Sequence, residues 1–377
     1  MSNTLTVLSP TLFSAAKEVA SEPFAVINAI NTSFDNKGVA KGDTVTVDVA
    51  PTRAAVDFAP GAVTTTGDDA VASSVPVLIT AAKKVSWHLT GEQIRSLQNA
   101  TINEDWVKQL LKQGMRTLRN LAEIDAATAL KQGASRATGT AGTTPFASDL
   151  TALTNARKVL QDNGAPLADL QYIGDSSSGL NLRNLGIIQQ AYQAGSDVER
   201  RSGALLRQFG FEMGESAGIG LHTKGTGSGY TSSAAGFAVG TTQIPLITGT
   251  GTIVAGDVVT FAGDTNKYVV TTGIAAPGTI TIGNPGLKVA LAASAVALTV
   301  GNNYTADVAF EKSAAVGIIR PTLIPENPTI EQMEISDANG MTYLMLQIAQ
   351  YGQLSWELHL AWGFKTVNGE FSTIVLG

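Results

Sequence analysis

Residues 231–303 almost dispense with charge: Asp257, Asp264, Lys267 and Lys288 are the only charged side chains in the block. The rest is mostly Thr, Val, Ala, Gly and Ile in short runs broken by Gly and Pro. Runs of that kind read as strands, because β-branched residues suit a pleated surface and Gly and Pro punctuate turns. Expected strands are 237–239, 244–247, 258–261, 268–270, 280–282 and 298–300, with turns at Gly263-Asp264 and Asn284-Pro285-Gly286. A segment of about seventy residues lies near the lower limit for independent folding. Low charge makes open strand edges prone to aggregate, so a closed barrel is the expected form. The sequence on either side has a different texture, with long helical stripes and amphipathic strands. The block therefore reads as a small β domain inserted in a larger α+β host.

The host begins with apolar residues at roughly helical spacing from Leu12 to Ile30, interrupted by Pro23. Two placements stay open: a helix docked on its own domain, or an arm packed on a neighbouring subunit through residues such as Phe13 and Phe24. Residues 44–49 alternate Val with Thr and Asp as a period-2 strand, and 75–90 read as a second extended stretch. Between them, 51–74 is too poor in apolar groups to make a core; if the flanks pair, it is the tip of a projecting hairpin that something else must cover. Its charged residues, Arg53, Asp57, Asp68 and Asp69, are candidates for ion pairs between subunits.

A long helix follows. Asn103 is the expected N-cap, Glu104 and Asp105 suit the helix dipole, and Gly133 is the stop. Val107, Leu110, Leu111, Met115, Leu118, Leu121 and Ile124 form its expected apolar stripe, with Gly114 unexplained. A second helix is expected within 147–168, a short strand at 170–173, a brief helix at 178–185 and extended chain at 209–221. Residues 341–348 and 356–364 alternate strongly and are expected to pair, with Trp356, Leu358, Leu360, Trp362 and Phe364 on one face.

The formal charge of −6 and the absence of any Lys or Arg run longer than two argue against a strong non-specific nucleic-acid surface. No Cys is present, so neither disulfides nor thiolate metal sites exist. No signal peptide is read at the start, and no apolar run approaches the ~20 residues that span a bilayer. Gly174-Asp175-Ser176 is similar to the nucleophile block of lipase-like hydrolases, but no Asp stands three residues before His88, His222 or His359 to complete a triad. These three His lack ligand spacing. Residues 225–229, Gly-Thr-Gly-Ser-Gly, are followed by neither Lys-Ser/Thr nor a helix, so they read as a linker into the insert rather than a phosphate loop. No catalytic residue, cofactor or metal site is expected.

Three segments carry a family likeness. Gly256-Asp257-Val258-Val259-Thr260-Phe261-Ala262-Gly263, Asp307 to Ala314 (Asp-Val-Ala-Phe-Glu-Lys-Ser-Ala), and Tyr351 with Trp362-Gly363-Phe364-Lys365 occur in that order. With the order arm, hairpin, long helix, second α/β domain and return, the chain resembles the major capsid proteins of tailed phages with the Hong Kong 97 fold. Within them it resembles the coat proteins of short-tailed Salmonella phages, which carry an inserted β-barrel. The resemblance implies a domain plan: an N-terminal arm, 1–40; the extended hairpin (E-loop) with flanking strands, 41–92; the P-domain with its spine helix, 93–148; the first part of the A-domain, 149–230; the barrel insert, 231–303; the A-domain return, 304–340; and closing strands, 341–377. It implies self-assembly through hexamers and pentamers into an icosahedral shell around double-stranded DNA, without sequence-specific DNA binding and without a membrane. It also implies a separate scaffolding protein, a portal protein, room for a decoration protein, assembly in the host bacterial cytoplasm and a final place in the virion. Because the arm starts almost at Met1, no fused scaffolding segment and no N-terminal cleavage are expected. Two rivals are kept: an encapsulin-like cellular compartment, which shares the fold but is not expected to carry the insert, and a secreted β-rich adhesin or carbohydrate-binding protein.

Overall fold

The computed structural model describes residues 5–20, 22, 24–34, 37–49, 73–98, 104–189, 207–325, 330–337 and 339–377. Helix α1 (Leu5–Ala20) and the short α2 (Ala25–Ala29) lead into β1 (Asn31–Phe34). Leu12, Ala15, Ala16 and Val19 of α1 are buried, the spacing of one helical face. Ion pairs hold the outer side: Glu18 binds Lys108 and Lys112, and both carboxylate oxygens of Glu22 accept from Arg116 Nε, at 2.7 and 2.9 Å. Of the two placements left open, α1 takes the first and docks on its own chain.

Strands β2 (Thr44–Val49) and β3 (Ser73–Leu78) make an antiparallel ribbon that is a two-stranded sheet of its own, Thr44 opposite Leu78 and Val49 opposite Ser73. At its root Val77 and Ile79 pack with Val39, Ile318 and Ala361. A Cβ added at Gly363 would lie 2.1 Å from the Leu78 carbonyl oxygen, so this root rests directly on the main sheet. The extended stretch expected over 75–90 is in fact two strands. The chain leaves the ribbon at Ile79 and joins a different sheet as β4 (Ala81–Thr90). Strand propensity is continuous across the break and does not say which partner each half takes.

After α3 (Gly91–Gln98) comes α4 (Glu104–Gly133), 30 residues and therefore about 45 Å long. It buries Val107, Leu111, Met115, Leu118, Ala122, Ala126 and Leu130. Leu121 and Ile124, expected in that stripe, are 40% and 45% exposed. The two successive steps of three from Leu118 rotate them off the core face, whereas Ala122 and Ala126, four apart, stay on it. A Cβ at Gly114 would meet the Trp87 ring at 3.4 Å, an ordinary contact, so packing does not explain the glycine.

Next come β5 (Arg136–Gly139), α5 (Thr151–Asp162), β6 (Leu170–Gly174), α6 (Ser176–Asn184), α7 (Gly186–Gln189), β7 (Phe211–Glu215) and β8 (Leu221–His222). They enclose a second core around Leu153, Leu160, Tyr172 and Phe211. Asp149 accepts from Thr151 N at 2.8 Å ahead of α5, and Gly164 (φ +79°) follows its end.

The low-charge block contributes β9 (Gln243–Pro245), β10 (Val258–Phe261), β11 (Lys267–Thr272), β12 (Thr279–Ile282) and β13 (Leu298–Val300). The strand expected at 237–239 is only a single bridge from Phe237 to Leu291, and the one at 244–247 shrinks to β9. Val239 and Ile247 are exposed, so their β propensity finds no partner face. Pairing runs β13-β10-β11-β12-β9, and bridges from Thr231 to Ala297 and from Ser232 to Leu246 join the two ends of that run. Inside lie Tyr230, Ile244, Val259, Phe261, Tyr268, Val270, Ile280 and Leu298. The block is not sealed from its host: Lys267 and Tyr268 also pair with Ala137 and Arg136 of β5. Val258 and Val269, on the opposite face of β10 and β11, belong to the host core that includes α4. Residues 225–229 are part of this unit rather than a linker, because Gly227 N and Ser228 N donate to Thr252 O and Thr250 O at 2.7 and 2.9 Å.

The chain returns through β14 (Tyr304–Glu311), β15 (Ala315–Arg320), β16 (Ile330–Ser336), β17 (Thr342–Gln350), β18 (Gln353–Thr366) and β19 (Ser372–Leu376). The 14-residue β18 is the hub of a six-stranded sheet, pairing with β17, β15 and β4. Trp356, Leu358, Leu360 and Trp362 are buried as expected. Strand β19 was not anticipated. It joins β14 to β5 and so links the low-charge block to the α5 region in one eleven-stranded sheet. The fold is mixed α+β.

Candidate assembly surfaces

The residues singled out in the sequence separate into three groups. Arg53, Asp57, Asp68 and Asp69 lie outside the described residues. Phe13 stands on the outer side of α1, 47% exposed. Phe24 is turned inward at 6% exposure, its ring beneath the Arg119 guanidinium at 4.2 Å. It packs within its own chain, because α2 begins there and is locked by Glu123, whose carboxylate accepts from Val26 N and Ile27 N at 2.8 and 3.0 Å and from Ser216 Oγ at 2.8 Å.

The surface that sequence reasoning missed is a groove along the outer flank of α4. Leu121, Ile124, Asp125 and Gln132 of the helix face Thr80, Lys83, Trp362 and Phe364 across about 520 Å3. Trp362 Nε1 donates to Asp125 at 2.7 Å, which fixes the ring in the floor. The signal was present in the sequence as two extra apolar residues beside the stripe, but period alone assigned them to the core. The groove adjoins the root of the β2–β3 ribbon, where Leu78 is 48% exposed and Lys365 Nζ donates to Pro76 O at 3.0 Å. Exposed apolar side chains clustered beside the two-stranded ribbon suit protein–protein contact.

Two His residues sit in polar networks. On β18, His359 Nε2 meets Glu357 Oε2 at 3.0 Å, and Glu357 binds Lys84 at 2.7 Å. Burial lowers the His359 pKa, and the bond to Glu357 opposes that shift. His222 Nε2 meets Asp257 Oδ1 at 2.9 Å; the same carboxylate takes Gly225 N at 3.1 Å and Val254 N at 2.9 Å. This buried knot ties residues 222–225 to the turn that leads into β10. Asp175, of the hydrolase-like Gly-Asp-Ser, caps α6 by accepting from Ser178 N at 2.7 Å. Among the described residues no group of three or more His, Asp or Glu is placed to hold a metal ion. Among them, too, no helix is long and apolar enough to cross a membrane.

No family profile matches the chain, and no curated protein does. Among solved structures, one of Mycobacterium phage Che8 is 15% identical, with a TM-score of 0.49 over 94% of this chain and 91% of that one. The capsid of the cyanophage P-SCSP1u is 11% identical, with a TM-score of 0.49 over 92% and 86%. An encapsulin complex from Synechococcus elongatus is 8% identical, with a TM-score of 0.44 over 94% and 87%.

Proposed function

We propose that this chain is a coat protein that associates with copies of itself into a closed shell, the major capsid protein of a tailed phage enclosing double-stranded DNA. The observation that carries the reading is the β2–β3 ribbon. It belongs to neither large sheet and is held at its root, beside an open apolar groove on α4. A two-stranded ribbon is marginal in water. Contacts with further copies would cover ribbon and groove together, and symmetry would multiply many weak contacts into a stable shell. The order of elements adds support: docked N-terminal helix, ribbon, spine helix, second core, insert and return. So do the segments at 256–263, 307–314 and 351–365 that resemble the short-tailed Salmonella phage coat proteins. On this reading the insert is their barrel domain, and subunits group as hexamers and pentamers. A separate scaffolding protein sets curvature and a portal occupies one vertex. The particle matures as a virion after assembly in the host cytoplasm.

The test is expression with the scaffolding protein encoded beside it, followed by sedimentation and negative-stain microscopy. Closed particles tens of nanometres across are expected. Monomers and dimers alone would overturn the reading. Shells that close without scaffold around a folded protein cargo would favour a cellular compartment instead.

A further inference from the structure

Host and insert meet in a small cleft of about 260 Å3 between α5, β5 and the turn from β10 to β11. Arg136, Thr138 and Lys158 line it from the host, and Thr265, Asn266 and Lys267 from the insert. Every charged side chain in this lining is a cation. Arg136 forms the base at 6% exposure. Its Nη1 donates to Asn266 Oδ1 at 3.1 Å and its Nη2 to Asn163 Oδ1 at 3.0 Å, while its buried Nε has no partner among the described residues. A buried donor left unmade is costly, and a guanidinium suits an oxygen anion.

Nearby carboxylates are already engaged. Asp162 pairs with Lys158 at 2.7 Å and Lys267 Nζ donates to Gly139 O, so each ammonium keeps further N–H donors for a second partner, while Asp264 accepts from Tyr268 Oη at 2.6 Å and Asn266 N at 2.8 Å. A further cation, Lys288, stands close by, donating to Asp162 O at 3.3 Å. Burial, then the neighbouring Arg136, holds the Lys288 pKa below its ordinary value, and burial lowers that of Arg136. Arg136 and Lys288 repel each other at this seam, and Asp162 opposes that effect on both.

We infer that this cleft binds a single oxyanion, a phosphate group, which bridges Lys158 of the host and Lys267 of the insert and fixes the angle between them. The assignment is independent of shell formation, because all of its residues come from one chain.

The unassembled full-length chain tests it. Thermal unfolding is followed as inorganic phosphate is titrated at constant ionic strength, with chloride as reference. A saturable rise in Tm is expected. In K158Q/K267Q the midpoint of that rise should move at least tenfold higher in phosphate. Arg136 is left intact because it is built into the core, and far-UV circular dichroism checks that the double variant is folded. A short DNA oligonucleotide forms a second arm. Competition with phosphate for the same stabilisation would assign the anion to a nucleic-acid backbone; no competition would assign it to free phosphate. A linear, unsaturable effect of phosphate, or the same midpoint in K158Q/K267Q, would overturn the site and leave Arg136 Nε to an ordinary buried water.

Discussion

At the scale of single residues, the buried charges define the most sensitive positions. Arg119 is fully buried, pairs with Asp337 at 3.3 Å and covers Phe24, while Asp337 also accepts from Asn339 N and Met341 N, both at 2.9 Å. Burial raises the Asp337 pKa and Arg119 opposes the rise. Removing one partner strands the other, so Arg119→Ala should cost about 3–5 kcal/mol in chemical denaturation; a loss below about 1 kcal/mol would show that the pair does not hold α1 and α2 to the core. Asp307 behaves differently. Burial pushes its pKa up to about 7, against hydrogen bonds from Asp175 N at 2.9 Å and Tyr172 Oη at 2.8 Å. The folded pKa lies above the unfolded value, so the folded chain holds its proton longer. This contribution is present below about pH 4 and is lost as pH rises through about 7. Asp307→Asn keeps the shape without the titration. Its stability relative to wild type should therefore increase by a few kcal/mol, on the order of one proton held over that window, between pH 4.5 and pH 8. Parallel stability curves for the two proteins would contradict this.

At the scale of elements, the low-charge block combines a private core with a shared wall. Phe261 is 2% exposed and meets the Tyr268 ring at 6.1 Å between centroids. Phe261→Ala should cost about 3–5 kcal/mol, read from denaturation of the full chain; an unchanged melting temperature would remove Phe261 from the core. The excised segment 225–303 keeps Tyr230 and the 225–229 stretch, retains that core and should protect amides in β10, β12 and β13 from exchange. A coil spectrum would show that the host wall is indispensable. That outcome has a physical route, since excision uncovers Val258 and Val269 and opens the β11 edge that pairs β5. Helix α4 makes the complementary point. Its inward face is a continuous core seam, and the two residues turned off that seam, Leu121 and Ile124, create the groove.

At the scale of the whole molecule, the coat reading makes a chemical prediction. Residues 51–74 contain no Lys, and the chain contains no Cys. Neither a lysine isopeptide from this segment nor a disulfide can weld neighbours, so mature particles boiled in detergent should run as a single monomer band. A ladder of multimers would refute this. Without such cross-links, the stability of a shell should depend on salt to the extent that exposed ion pairs between copies contribute.

Local pattern decided much of the chain. The 3.6-residue period and the Gly133 stop placed α4 to within a residue, while the expected cap Asn103 lies outside the described residues. The period-2 alternation of Val45 and Val47, and of Leu358, Leu360 and Trp362, marked β2 and β18, because one face of each had to leave water. Low charge between 231 and 303 marked a β unit for the same reason. Partner choice was not legible. Ile79 divides one β-prone run between a ribbon and a sheet, Phe24 turns under Arg119 instead of outward, and β11 pairs with host strand β5. The short, apolar β19 carries no period that distinguishes it from a terminal tail. Each of these depends on residues far apart in sequence meeting in space. The cationic cleft is the sharpest case: Arg136, Lys158 and Lys267 are unremarkable in sequence and become a site only where β5, α5 and the insert converge.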